Sequence, residues 1–165
     1  MHFRPRQFAA FMILISAAWF AAPLLHAQTD AEKADKLVRL LKADGYDYKT
    51  TNSPTVFVIH FTGTNLKDIK VVMAVGGDED SDLVVFVTVA SKATMPTTAD
   101  FRYNLLKFNH EYDQVKVGFD GDDDLSVRID GSIRLMDADF LKIIVTQMKT
   151  ASDEIYGKIQ PSLVH

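Results

Sequence analysis

Apolar residues recur along this chain with two periods, and the switches between them mark its elements. After Thr29-Asp30-Ala31-Glu32, the residues Ala34, Leu37, Val38 and Leu41 follow helical spacing as far as Gly45. Thr29 and Glu32 are placed as a capping box, so a helix is expected over about 30–44 with Gly45 as its stop. Asn52-Ser53-Pro54 forbids an unbroken strand, because Pro gives a ladder no N–H, and Tyr46–Thr50 therefore reads as a lead-in segment. Alternating runs then predict strands over about 55–62, 67–75 and 83–89, turned by Gly63-Thr64-Asn65 and Gly76–Asp82. Gaps this short favour an antiparallel meander. Thr97-Thr98-Ala99-Asp100 opens a second helix with Phe101, Leu105, Phe108 and Tyr112 on one stripe.

A hairpin over Val115–Leu135 comes next. Val115, Val117 and Phe119 alternate on its first arm; Leu125, Val127, Ile129, Ile133 and Leu135 alternate on its second with Ser126, Arg128, Asp130, Ser132 and Arg134. A period of two sends the apolar set to one face and the polar set to water. Asp120-Gly121-Asp122-Asp123-Asp124 makes the turn, with Gly expected at positive φ and Asp side chains bonding nearby backbone. Asp137 caps a long last helix over about 138–157, with Phe140, Leu141, Ile144, Val145, Met148 and Ile155 inward and Gly157 and Pro161 ending it. The order α-β-β-β-α-β-β-α predicts an α+β domain with helices packed against an antiparallel sheet.

Placing the first two turns symmetrically fixes a register. Phe57 lines up with Met73 and Val85, Ile59 with Val71 and Val87, and Phe61 with Ile69 and Val89, as the inner face. The other face carries the rows Val56–Ala74–Val84, Val58–Val72–Phe86 and His60–Lys70–Thr88. Two of these three rows are wholly apolar, which marks either a contact surface for another chain or a face covered internally by the first helix.

The first 27 residues read as an export signal. Arg4 and Arg6 give a basic start, Phe8–Leu25 is apolar apart from Ser16 and Pro23, and Ala27 offers a small residue before cleavage at Gln28. The run is about as long as the ~18-residue minimum of a membrane helix, which leaves retention as an anchor open. No Cys follows it, which excludes a lipoprotein anchor. A leader over 1–27 and one domain over 28–165 follow, in a periplasmic or secreted setting. Without Arg4 and Arg6 the chain keeps 16 basic against 22 acidic side chains, a charge of −6. That balance, with no basic run, argues against nucleic acid and against any membrane role beyond export. The absence of Cys excludes disulfides, thiol catalysis and Cys-ligated zinc.

Leu105-Leu106-Lys107-Phe108-Asn109, the hairpin with its acidic turn, and the last helix with Ala151-Ser152-Asp153 together resemble the YbjN family, within the type III secretion chaperone-like fold. The likeness spans about Asp100–Ile159, and residues 30–90 match in element order alone. It implies a non-enzymatic domain that binds a peptide or protein, in a family of regulators. The export signal departs from the cytoplasmic setting of secretion chaperones.

Candidate chemistry is sparse. Asp120, Asp122 and Asp124, like Asp78, Asp80 and Asp82, have the alternate spacing of calcium ligands. A calcium loop of the EF-hand type also needs Gly at its sixth position and Glu at its twelfth; Leu125 and Gly131, or Leu83 and Val89, stand there instead. Both stretches therefore read as solvated turns, and no metal or cofactor is expected. His60, His110 and His165 have no local spacing to a nucleophile or a second ligand, and no nucleophile elbow, zinc helix or phosphate loop occurs. The sequence points to an exported module binding a protein or peptide, or a second copy of itself, through Val56, Val58, Val72, Ala74, Val84 and Phe86. The alternative is an extracytoplasmic hydrolase or sugar-acting enzyme whose carboxylates meet only in three dimensions.

Overall fold

The computed structural model describes residues 28–76 and 82–164. The expected leader, Asp78 and Asp80 of the first acidic turn, and His165 lie outside them. Helix α1 spans Asp30–Ala43, and strands β1 to β4 span Tyr48–Thr50, Val56–Phe61, Ile69–Val75 and Leu83–Ala90. Helix α2 (Ala99–Glu111), strands β5 (Lys116–Phe119) and β6 (Leu125–Gly131), and helix α3 (Ala138–Ile159) complete the order. The strands form one sheet in the order β1-β2-β3-β4-β6-β5, and every neighbouring pair is antiparallel. The α+β architecture expected from the sequence is the one found, with one short edge strand added.

Local chemistry explains the boundaries. Thr29 accepts from the Glu32 N–H while the Glu32 carboxylate accepts from the Thr29 N–H at 2.8 Å, so the capping box forms. Gly45 takes φ +71° just past the end of α1. Thr98 and Asp137 accept from the N–H groups of Phe101 and Phe140 to start α2 and α3. The expected register holds wherever pairing is seen: Phe57 faces Met73 and Met73 faces Val85, while Val58 faces Val72 and Val72 faces Phe86.

The sheet's two faces have different fates. Phe57, Ile59, Val71, Met73, Val85, Val87, Val127 and Ile129 are buried, and they join one core with Ala34, Leu37 and Leu41 of α1, Leu105 and Phe108 of α2, and Leu141, Ile144, Val145, Met148 and Ile155 of α3. All three helices thus cover the same face. α1 lies on this inner side, so it does not cover the outer rows.

Several sequence expectations need correction. Tyr48–Thr50 is a strand and not a lead-in, because Asn52-Ser53-Pro54 acts as a turn: the N–H of Thr51 bonds the Val56 carbonyl at 3.1 Å and that of Val56 bonds Ser53 at 3.2 Å. The second hairpin arm stops at Gly131; Ile133–Leu135 is a 3-10 turn in which Ile133 is buried and Leu135 is 70% exposed. The Asp82 carboxylate holds the Ile133 N–H at 2.7 Å and diverts the chain there. Phe119 is exposed, with Arg102 over its ring at 5.7 Å, rather than inside. Phe140 is half-buried at the core's margin. In the hairpin turn Asp123, not Gly121, takes positive φ (64°). Helix α3 runs through Gly157 to Ile159, because that glycine serves a close approach: a Cβ there would meet the Asn65 amide at 2.7 Å.

Candidate functional site

The outer face of the sheet is the feature that the packing of the described residues leaves unused. Its first row sets Val56 beside Ala74, Ala74 beside Val84, and Val84 beside Asp130. The central row runs across all six strands as Lys49, Val58, Val72, Phe86, Arg128 and Lys116. His60 beside Lys70, and Thr88 beside Ser126 and Gly118, flank it on the other side. All six residues singled out from sequence, Val56, Val58, Val72, Ala74, Val84 and Phe86, lie on this face and are half-buried. Their partial burial comes from the pleat and from strand neighbours, and the helices' buried side chains all belong to the opposite face.

Toward β5 the face hollows into a groove of about 360 Å³, lined by apolar Val84, Phe86 and Phe119, by the cations Lys116 and Arg128 and by the carboxylates Asp120 and Asp122. Asp130 sits between two cations, 2.9 Å from Lys116 Nζ and 2.6 Å from Arg128 Nε. Burial pushes its carboxyl up, and the bonds from Lys116 and Arg128 outweigh that and hold it below the usual carboxylate range. At the other end Asp68 bonds His60 Nδ1 at 3.2 Å and Lys70 Nζ at 3.3 Å, and these two partners, His60 foremost, lower its carboxyl as well.

The other candidate groups do not converge. His60 stands on the open face, where its ring bonds Asp68, and His110 stands on the exposed side of α2. In the second acidic turn Asp120 Oδ1 accepts from the N–H groups of Asp122 and Asp124, both at 3.0 Å. Asp124 Oδ1 accepts from the Lys92 N–H at 2.7 Å, and Asp123 pairs with Lys92 Nζ at 2.6 Å. That pairing lowers the Asp123 carboxyl and raises the Lys92 ammonium. These carboxylates therefore tie the hairpin to the segment after β4. Among the described residues no group of three or more His, Asp or Glu side chains is placed to hold a metal ion. Asp82 departs from the solvated turn expected for it: it is 2% exposed and paired with buried Lys33 at 3.3 Å.

Three further residues carry contacts that sequence spacing does not reveal. Asp153 on α3 accepts from the N–H groups of Thr64 (3.0 Å), Asn65 (2.8 Å) and Leu66 (2.8 Å), which seats the β2–β3 turn on the helix. Gly63 is needed beside it, since a Cβ would meet Asp153 Oδ1 at 2.2 Å. Asn109 on α2 accepts from the Val117 N–H at 2.7 Å and donates to the Val117 carbonyl at 3.2 Å, so its amide closes the outer edge of β5. Lys49 joins the central row only because β1 is a strand; its place opposite Val58 follows from extending the period of two back past the turn.

No family model matches the chain, and neither does the sequence of any curated protein. Among solved structures it is similar to a chain in the crystal structure of the ExsC–ExsE complex, with a TM-score of 0.53 and 10% sequence identity over 77% of this chain and 92% of that one. At that identity the likeness is one of fold alone, an α+β arrangement of helices on an antiparallel sheet.

Proposed function

We propose that this chain is an exported, non-enzymatic module of YbjN type, regulatory or chaperone-like, that holds a protein or peptide segment on the open face of its sheet. One observation carries the reading: among the described residues two apolar rows stay half-exposed on one face while the three helices pack on the other. Contiguous apolar surface of this kind on a folded protein is characteristic of contact sites. The structural neighbour was solved as a complex of two named proteins, which supports a protein partner. The Arg4/Arg6 start and the apolar run to Leu25 support export, and the Leu105–Asn109 motif with the acidic hairpin supports the family.

Affinity capture from the cell envelope, run in parallel with wild type and Phe86→Glu, tests the reading. Partners retained by wild type should be lost from the variant, because a charge at the centre of the apolar rows removes their burial. The variant must keep the wild-type far-UV spectrum for the comparison to hold. Equal capture by a folded Phe86→Glu would overturn the proposal.

A further inference from the structure

We draw no further inference here: the strongest candidate, the half-exposed apolar face of β2, β3 and β4 with its groove toward β5, carries nothing beyond the reading above, because its cations are matched by the carboxylates of Asp68, Asp120, Asp122 and Asp130 and nothing in the structure shows what covers it.

Discussion

Asp153 shows what a single carboxylate does in this fold. Burial pushes its carboxyl up, and the N–H groups of Leu66, Asn65 and Thr64 pull it down further, leaving it below the ordinary 3.8. A lowered folded-state value means that its contribution to stability is complete above the ordinary value and disappears as the pH falls through the lowered one. Asp153→Asn should therefore cost about 1–2 kcal/mol at neutral pH, and the gap to wild type should close in strong acid. Urea midpoints across the acid range check this, and a gap that stays constant with pH would contradict it. Asp82 is the buried counterpart. With Lys33 at 3.3 Å and the Ile133 N–H at 2.7 Å, it pins α1 and the turn after β6 to the start of β4. Asp82→Ala should cost about 3 kcal/mol, measured by denaturation, because it removes the acceptor of the Ile133 N–H and the nearer partner of a buried ammonium, which keeps only the more exposed Asp30 at 3.8 Å. Neither role was legible in the sequence. Asp153 stood out only within Ala151-Ser152-Asp153, and Asp82 sat in an acidic run that looked solvated, because the partners of both are far away along the chain.

At the level of elements, local pattern was enough wherever both faces of a segment had distinct fates. The strand register followed from a period of two and from two short turns, since a slip of one residue would exchange buried and open faces. Element ends were less legible, because distant contacts set them. Asp82 ends the β6 arm, the Asn52–Pro54 break folds β1 back instead of cancelling it, and Gly157 lies within α3 because Asn65 presses on it. Asn109 shows how an exposed edge is managed. Its amide satisfies both backbone groups of Val117, so β5 offers no free ladder there to another chain. Asn109→Leu should lower stability by about 1–2 kcal/mol and introduce association that grows with concentration. Thermal midpoints together with sedimentation velocity check this; a variant that stays monomeric with an unchanged midpoint would show that the edge needs no such closure.

At the scale of the whole fold, the governing asymmetry is that the three helices of the described residues share one face of a six-stranded sheet. The candidate surface was legible as six residues, because their alternation is local. Its charged border was not, since Lys49, Lys70, Lys116 and Arg128 share one face only when all six strands are set side by side. The sequence alone also left open whether α1 covers the outer rows, and its buried Ala34, Leu37 and Leu41 place it on the inner side. The most direct test of an open face uses adjacent residues of β4 that point opposite ways. Val85 is 1% exposed within the core, and Phe86 is half-buried on the outer face. Urea denaturation of Val85→Glu and Phe86→Glu should give a loss of several kcal/mol for the first, from an unpaired buried charge, and about 1 kcal/mol for the second, from lost cross-strand contact. Equal, severe destabilisation by both substitutions would mean that the outer face is covered within the folded chain, and would contradict the account.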